Sequence, residues 1–539
     1  MRKKFLFLSI LSGLLFSVAW PSMGFPILLF WSFIPLLIIE EEFSKAERRN
    51  NRFSVFAYSY LAFFIWNILT TWWVYFASPF GAAAAIICNA LFMALVFHFY
   101  HLVKKHKGVT WGYLSLISFW VTFELFHLNW DLSWPWLTLG NGFASFPKLV
   151  QWYEYTGVLG GTLWIILINL LLFHLLFKLE RNFTPVFKQT LLAMGICLAV
   201  PIVFSLIRYY SYEDEGEDIK IAVVQPNIDP YSEKFSASTA KYQIDKILEL
   251  SESVTDSATR FILAPETAVP SSVWDKNIQQ NIYLRQMKTF VEQYPDLTYI
   301  TGISYYKFYE GGKNETVTAR KFANADDSYD AFNTAVQIDR AYELPLHHKS
   351  KLVPGVEKMP YPAIFGFLEK FAIDLGGTSG TLASLKHPTV FFTDDSLGVA
   401  PIICYESIYG EYVAKYVNSG ANLLFIITND GWWGNTPGYK QHMQYARLRA
   451  IEFRKSVARS ANTGISGFIN QRGDILDKTE WWQPDARNHV LKANEKFTFY
   501  AKMGDLIGKI SMFVSLMIVL KVVMDGMKSR FPQKELENE

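Results

Sequence analysis

Long apolar segments dominate the first 209 residues, and one more lies near the C-terminal end. Most of them approach the roughly 20 residues that a helix needs to cross a bilayer, so the pattern predicts eight membrane spans. The candidate spans cover residues 5–20, 24–40, 54–77, 82–103, 110–128, 157–177, 188–208 and 506–524. Residues 210–504, between the last two spans, have the mixed pattern of an ordinary globular domain.

The distribution of Lys and Arg predicts the orientation of these spans, because cytoplasmic loops carry an excess of both residues. Positive charges recur in the N-terminal segment, in every second loop and in the C-terminal tail, and the loops between them carry almost none. We therefore expect both termini in the cytoplasm and the globular domain on the outer side, which in a bacterium is the periplasm. The predicted parts are a seven-helix transmembrane domain (1–209), a periplasmic domain (210–504), an eighth transmembrane helix (505–527) and a cytoplasmic tail (528–539).

Two features of the membrane part have more than one interpretation. The loop 129–156 contains Trp130, Trp134 and Trp136. Such aromatic density is typical of the headgroup layer, so we expect interfacial anchoring there rather than a direct part in catalysis. Glu124 and His127 lie near the outer end of the fifth span. Ionisable groups in a span often mark function, but at a boundary they can also cap the helix or reach the interface.

Within the globular part, apolar runs of strand length alternate with segments of helical period. This alternation predicts an α/β domain whose sheet is covered by helices. The connection 354–395 is rich in Gly, Pro and apolar residues, and we interpret it as a lid, as a segment resting on lipid, or as an ordinary excursion. The predicted strands are 219–224, 261–264, 299–305, 330–338, 397–403 and 423–428, the helices are 239–251, 277–294 and 439–453, and 457–469 is extended.

Composition narrows the class of protein. The chain has 539 residues, of which 51% are hydrophobic and 17% aromatic, and these fractions are high for a soluble protein. A net charge of +2 gives no reason to expect nucleic-acid binding. We predict no metal and no cofactor, because the adjacent His347 and His348 point apart in an extended chain and no third ligand is evident.

Three segments carry candidate chemistry. Cys404 ends a strand-like run, Glu266 follows another, and Lys349 lies in a basic segment. Taken singly, they are explained as a buried thiol, a solvated carboxylate and a surface charge. Taken together at the ends of separate strands, they form a complete acyl-transfer site. The thiol is the nucleophile, the carboxylate acts as general base and then acid, and the ammonium stabilises an oxyanion.

The same segments resemble the three signatures of the nitrilase, or carbon–nitrogen hydrolase, superfamily. They read Ala-Pro-Glu266, Lys349-Ser-Lys-Leu-Val-Pro-Gly-Val-Glu357 and Ile-Cys404-Tyr-Glu406, and the likeness continues over 429–433, 441–442 and 446–452. The resemblance implies an αββα sandwich with a Glu266–Lys349–Cys404 triad, in which Glu357 positions Lys349 and the substrate. The superfamily usually has Pro-Phe-Gly-Glu where this chain has Pro-Gly-Val-Glu357, but the spacing from Lys349 is kept.

Seven spans, an outward nitrilase-like domain and a last span are similar to the apolipoprotein N-acyltransferases of bacteria. This resemblance implies a ping-pong reaction. Cys404 takes an acyl chain from a membrane phospholipid as a thioester, and the α-amine of the diacylglyceryl-cysteine of an apolipoprotein then accepts that chain.

The resemblance also implies supporting residues around the nucleophile. Tyr405 and Glu406 flank Cys404 and hold the oxyanion or shape the pocket. Phe235 matches, with one residue of slippage, an aromatic residue on a mobile loop near the site. Trp432 either lines the acyl cleft or belongs to the core.

Two other functions are compatible with parts of the sequence. A membrane-held amidase would use the same three residues with water as the acceptor, but it would need neither the lipid-facing connection nor the aromatic loop. A transporter or receptor would bind its ligand with the outer domain. That class predicts broken helices and polar residues at the span centres, whereas the centres here are almost wholly apolar.

Overall fold

The computed structural model describes residues 2–21, 23–45, 53–179, 184–234, 236–323, 325–366 and 381–530. An N-terminal helical bundle precedes the globular domain, and one long helix follows it. The helices of the bundle are α1 (Arg2–Ala19), α2 (Ile34–Lys45), α3 (Ser54–Thr71), α4 (Val74–Ala77), α5 (Pro79–Lys107), α6 (Val109–His127), α7 (Tyr153–Phe173) and α8 (Pro185–Ser211). The final helix, α15, covers Leu506–Arg530.

Six helices within the described ranges are long and apolar enough to cross a membrane. They correspond to six of the eight predicted spans and begin at Ser54, Pro79, Val109, Tyr153, Pro185 and Leu506. In place of the second predicted span, the chain forms a 3₁₀ turn at Pro26–Phe30 and the 12-residue helix α2. The count of eight spans and the domain boundaries built on it therefore stay predictions.

Two β-sheets form the centre of the globular domain. In the first sheet the strand order is β14-β1-β2-β4-β6-β5, with β3 also paired to β4 and β7 to β6. In the second the order is β13-β12-β11-β10-β9-β8. The strands are β1 (Glu217–Gln225), β2 (Thr259–Leu263), β3 (Ser272–Trp274), β4 (Thr298–Tyr309), β5 (Arg320–Lys321), β6 (Ser328–Ile338), β7 (Leu346–His348), β8 (Phe391–Phe392), β9 (Gly398–Ile403), β10 (Leu423–Thr428), β11 (Val457–Ala461), β12 (Gly467–Ile469), β13 (Ile475–Lys478) and β14 (Asp485–Ala493).

The two sheets pack face to face and are covered by helices on both outer sides. One face of each sheet contributes to a shared apolar core, where Phe261 and Phe425 meet with ring centroids 5.2 Å apart. Strands buried on both faces read as continuous apolar runs, which is why the central strands were evident from the sequence. The covering helices are α9 (Ala240–Val254) and α10 (Ile282–Val291) on the first sheet, and α12 (Gly410–Asn418) and α13 (Pro437–Phe453) on the second; the short α11 (Pro362–Phe365) and α14 (Phe499–Met503) lie in connections. The predicted αββα sandwich is thus confirmed.

The layer formed by α12 and α13 also contacts the membrane helices. One continuous apolar cluster joins these two helices to the aromatic core of the bundle. Glu452 of α13 accepts a hydrogen bond from the backbone N–H of Val158 in α7, at 3.2 Å. The sandwich is therefore packed onto the bundle through its second helical layer.

The aromatic loop 129–156 lies within this junction. Trp136 is 1% exposed, donates to the side-chain oxygen of Gln441 at 2.6 Å, and packs beside Trp73 and Tyr445. The expected anchoring at the membrane interface is wrong for Trp136, because helix α13 of the sandwich covers its ring. Among the ionisable residues of the fifth span, Glu124 is also buried and accepts from the backbone N–H of Leu139 at 2.9 Å, so it holds this loop in place.

Candidate active site

The predicted catalytic residues follow three different strands. Glu266 comes after β2, Lys349 directly after β7, and Cys404 directly after β9. The strands β1, β2 and β4 run parallel, as do β9, β10 and β11, and the two sheets stack on each other. Side chains beyond the carboxyl ends of stacked parallel strands share one edge of the domain. The structure thus brings together residues that lie up to 138 positions apart in the sequence.

A compact cluster of charges forms around Lys349. Its ammonium Nζ lies 3.1 Å from Oε1 of Glu266 and 2.8 Å from Oε1 of Glu357, and the side chain is 2% exposed. Burial alone would lower the pKa of Lys349, but the two carboxylates outweigh it and raise the pKa well above its usual value. The lysine therefore stays protonated and supplies a fixed positive charge to the site.

Asn333 in β6 is a member of this cluster that sequence reasoning missed. Its side-chain amide donates to Glu266 at 2.6 Å and to Glu357 at 3.2 Å, and its backbone carbonyl accepts from the N–H of Lys349 at 2.8 Å. The residue joins all three charged groups, so it fixes their spacing. The only local signal was a polar residue inside a buried strand, which was too weak to single it out.

Cys404 lies at a strained turn. Cys404 has a φ of +49°, a left-handed conformation that costs a non-glycine residue of order 1–3 kcal/mol and that is common at active sites. Thr267, immediately after Glu266, is also left-handed, with a φ of +48°. That turn needs Gly302 beside it, because a Cβ on Gly302 would lie 2.3 Å from the backbone nitrogen of Thr267.

The electrostatic environment holds Cys404 as a neutral thiol. Burial raises its pKa and the neighbouring Glu266 carboxylate raises it further, while Lys349 opposes them. A resting thiol is a poor nucleophile, so the site needs a general base that removes the proton during the reaction. Glu266 is the carboxylate of the cluster whose charge acts most strongly on this thiol.

The carboxylate of Glu406 is engaged in hydrogen bonds to the backbone and to His347, although its position beside Cys404 suggests that it holds an oxyanion or shapes the pocket. It accepts the backbone N–H groups of Ser350 at 2.6 Å and Ile403 at 2.9 Å, and it contacts Nε2 of His347 at 3.2 Å. Burial alone would raise the pKa of Glu406, but His347 and these N–H donors outweigh it and lower the pKa. Through these hydrogen bonds, Glu406 links the turn at Cys404 to the segment that carries Lys349.

The other predicted supporting residues have separate positions. Tyr405 is buried and donates its hydroxyl to the backbone carbonyl of Ser133 in the membrane part, at 3.1 Å. Trp432 is half-buried, and its ring contacts that of Tyr231 with centroids 5.2 Å apart. Phe235 lies outside the described residues, as do residues 367–380 of the predicted lid.

A buried chain of hydrogen-bonded polar side chains supports the backbone turn at Cys404. Nε2 of His442 lies 3.0 Å from the hydroxyl of Ser407, which donates to the backbone carbonyl of Cys404 at 2.8 Å. The other ring nitrogen lies 3.0 Å from Asp430, whose second oxygen accepts from Arg459 at 2.6 Å. Because the Ser407 hydroxyl donates to the carbonyl of Cys404, this Ser–His–Asp arrangement supports the backbone at Cys404.

No group of side chains suited to a metal ion occurs in the part of the chain that the structure describes. The adjacent His347 and His348 face different partners. His347 contacts Glu406, whereas His348 contacts the hydroxyl of Thr334 at 2.7 Å. The two rings do not converge on a shared position.

An apolar cavity of about 330 Å³ lies between the bundle and the sandwich. Its walls are almost wholly apolar and come from α4 and α5, from the aromatic loop around Trp134, and from the segment 353–360. Val353 in that wall donates its N–H to Oε2 of Glu357 at 2.9 Å, so the cavity borders the charged cluster. Lys358 pairs with Asp131 at 3.1 Å and ties the same wall to the membrane part.

The fold and the site define a nitrilase-type sandwich that is packed onto apolar membrane helices. Residues 220–493 match the family model for carbon-nitrogen hydrolases, and residues 12–171 match the model for the N-terminal domain of apolipoprotein N-acyltransferases. The chain therefore belongs to the apolipoprotein N-acyltransferase family, a membrane-bound branch of the carbon–nitrogen hydrolases.

Relatives cover almost the whole chain. The apolipoprotein N-acyltransferase of Chlorobaculum tepidum is 28% identical over 526 residues, which are 95% of this chain and 96% of the relative. That of Thermotoga maritima is 26% identical over 536 residues, 95% of this chain and 94% of the relative. Among solved structures, Saccharomyces cerevisiae Nit3 of the nitrilase superfamily is 13% identical, with a TM-score of 0.37, and covers 61% of this chain and 99% of its own.

Proposed function

We propose that this protein transfers a fatty acyl chain from a membrane phospholipid to the α-amino group of the N-terminal diacylglyceryl-cysteine of apolipoproteins. Membership in the family and the names of relatives across nearly the full length support the second substrate. The apolar cavity supports the first, because it lies between the helical bundle and the sandwich and borders the segment that carries Glu357. This cavity is the observation on which the choice of a lipid donor rests.

The first half-reaction forms a thioester on Cys404. Glu266 takes the thiol proton as the sulfur attacks the carbonyl carbon of a phospholipid ester. The ammonium of Lys349 stabilises the oxyanion that forms on that carbonyl oxygen. The ester C–O bond then breaks, Glu266 returns the proton to the departing oxygen, and lysophospholipid leaves the acyl chain on sulfur. The raised pKa of Cys404 supports this order, since proton transfer then accompanies attack.

The second half-reaction passes the acyl chain to nitrogen. The α-amine of the diacylglyceryl-cysteine attacks the thioester carbonyl, and Glu266 accepts the proton that the amine loses. Lys349 again faces the oxyanion. Once the new C–N bond has formed, the C–S bond breaks, and the thiolate of Cys404 recovers a proton from Glu266. Water must be excluded between the two steps, and the buried cluster, with Lys349 at 2% exposed, favours that exclusion.

The proposed reaction places the site at the outer leaflet. A phospholipid acyl chain lies within the bilayer, so the nucleophile has to stand beside lipid to reach its ester group. We propose that the sandwich faces the periplasm of a bacterial cell, with both termini cytoplasmic, as the Lys and Arg of the short loops indicate. The packing of α13 against the bundle supports a site held at a constant height above the membrane.

Mass spectrometry of the purified protein tests the proposal. Incubation with phosphatidylethanolamine vesicles in the absence of an acceptor should add the mass of one fatty acyl group, on Cys404, and hydroxylamine should remove it as expected for a thioester. Cys404→Ala should give no adduct, whereas Cys197→Ala, which alters a cysteine of α8 outside the apolar cavity, should behave as wild type. An unmodified Cys404 in a protein that still hydrolyses small amides would replace the proposal with a membrane-held amidase.

A further inference from the structure

A second buried lysine lies beside the site. Lys234, on the loop after β1, is 3% exposed, and its ammonium donates to the backbone carbonyl of Glu266 at 2.9 Å. The loop is fixed in place, because the side-chain amide of Gln243 in α9 donates to the backbone carbonyl of Lys234 at 3.2 Å. Sequence reasoning passed over this residue, since its neighbour Phe235 carried the resemblance.

The described hydrogen bonds of this ammonium involve only neutral acceptors. Besides the Glu266 carbonyl, the side-chain oxygen of Asn429 accepts from it at 3.3 Å when that amide is oriented to satisfy both of its ends. No described carboxylate forms an ion pair with Lys234, unlike Lys349. Among the described residues, the positive charge of Lys234 is therefore not paired with any one carboxylate. It interacts electrostatically with both Glu266 and Cys404.

The charges of the site indicate why a second cation is present. The charges of Glu266, Glu357 and Lys349 sum to −1 when all three are ionised, and removing a proton from the half-buried Cys404 thiol would add further negative charge. With protonated Lys234 the resting cluster is neutral. Transfer of the Cys404 proton to Glu266 then leaves the total unchanged at zero. A buried site strongly disfavours uncompensated charge. A cluster that stays neutral therefore lowers the free-energy cost of moving the proton from Cys404 to Glu266.

We propose that the ammonium of Lys234 is a positioning and charge-compensating group for acyl transfer, which holds the Glu266 turn and keeps the buried cluster neutral while the Cys404 proton moves to Glu266. This inference rests on the proposed function, but it concerns the reactivity of the thiol, which is measured without any lipid.

The position of Lys234 predicts a pH dependence. Burial lowers its pKa to about 8, against the opposing effects of Glu266 and Cys404. The other charged groups of the cluster are Lys349, with its carboxylate partner Glu357, and Asp430, which is paired with Arg459. As the pH rises through about 8, Lys234 loses its charge and its support disappears, so acylation of the wild type should fall on the alkaline side.

Three variants separate this role from a structural one. Lys234→Met removes the charge at similar length, and Lys234→Arg keeps a charge that does not titrate in this range. The matched control is Lys455→Met. Lys455 is also buried, donates only to backbone carbonyls among its described contacts, and has a pKa lowered by burial to about 8, but it lies near Asn494 and away from the site.

The first readout is the rate of Cys404 alkylation by iodoacetamide between pH 6.5 and 9.5, located by mass spectrometry. An opposite charge within a few ångströms shifts a pKa by about 1–3 units, so Lys234→Met should slow alkylation at pH 7.5 by at least about tenfold. At that pH, Lys234→Arg and Lys455→Met should follow the wild type, and above about pH 8 only Lys234→Arg should keep the charge that supports the thiolate. A second readout is acyl-adduct formation, whose alkaline decline should be present in the wild type and absent in Lys234→Arg.

The outcomes distinguish the two proposals. Unchanged alkylation in Lys234→Met, in protein that elutes and melts like Lys455→Met, would overturn the role of Lys234. An equal loss of Cys404 reactivity in both Met variants would also overturn it, because the effect would then be general destabilisation. If wild-type protein forms no acyl adduct while the alkylation difference is present, the acyl-transfer proposal fails and the electrostatic role of Lys234 stands.

Discussion

Replacement of Lys349 by Met tests the charged cluster most directly. The lysine lies between two carboxylates, 3.1 Å from Glu266 and 2.8 Å from Glu357. Met has a similar length and no charge, so it removes the cation with little change in volume. The two carboxylates then face each other through the amide of Asn333, with no ion pair in the immediate cluster.

The magnitude follows from the burial of the three side chains. Lys349 is 2% exposed, Glu266 9% and Glu357 14%, so water screens their interaction very little. Loss of one partner from a buried ion pair destabilises proteins by about 3–5 kcal/mol. If one of the two carboxylates takes up a proton, part of the lost stability is recovered. If that carboxylate is Glu266, the proposed general base is also lost. Loss of an oxyanion-stabilising group slows acyl transfer by about 100- to 1,000-fold.

The double variant Lys349→Met/Glu357→Gln makes the reasoning refutable. With one carboxylate gone, most of the lost stability should return, whereas acylation of Cys404 should not. Thermal unfolding at one fixed scan rate in detergent measures stability, and adduct formation measures chemistry. Lys358→Met is the matched control. Its ion pair with Asp131 is partly exposed, so its loss should cost no more than about 1 kcal/mol. A single variant that acylates at the wild-type rate, or a double variant no more stable than the single, would refute the argument.

Two further predictions concern the residues around the triad. Glu406→Gln should slow acylation and lower the melting temperature by an amount equivalent to about 1–3 kcal/mol. The reason is that the amide NH₂ of Gln must face the backbone N–H of either Ser350 or Ile403, so one hydrogen bond is lost. Equal activity and an equal melting temperature in wild type and variant would contradict this. Burial lowers the pKa of His348 to about 4 from 6.5, so its neutral form stabilises the fold above about pH 6.5, and that contribution is lost as the pH falls toward 4. His348→Phe should reduce this acid-side fall in melting temperature between pH 6.5 and 4.5, and an unchanged slope would contradict the assignment.

Some structural differences from the sequence predictions have local causes. The predicted helix 277–294 is divided, and α10 begins at Ile282 because the side chain of Asn281 caps it by accepting the N–H groups of Tyr283 and Leu284. The extended segment 457–469 is two strands with a turn between Ala461 and Gly467. Both boundaries carry recognisable cap and turn residues, so the sequence holds the signal for each, although the predicted elements continued through them.

The amino-acid sequence by itself determined the apolar helices and the central strands, and it singled out the three candidate reacting groups. These features are encoded locally, since a span is a length of apolar chain and a doubly buried strand is a continuous apolar run. The signatures around Glu266, Lys349 and Cys404 are likewise short and contiguous, so the order of residues along the chain is enough to recognise them.

Only the tertiary structure decided how those groups are supported. Asn333 and Lys234 meet Glu266 from 67 and 32 residues away, Glu406 turns toward Ser350 rather than toward the thiol, and Trp136 is covered by α13. Each contact depends on how the two sheets stack and on how the sandwich sits against the bundle. Such contacts leave no period or spacing in the chain, because they follow from packing among elements that are distant in sequence.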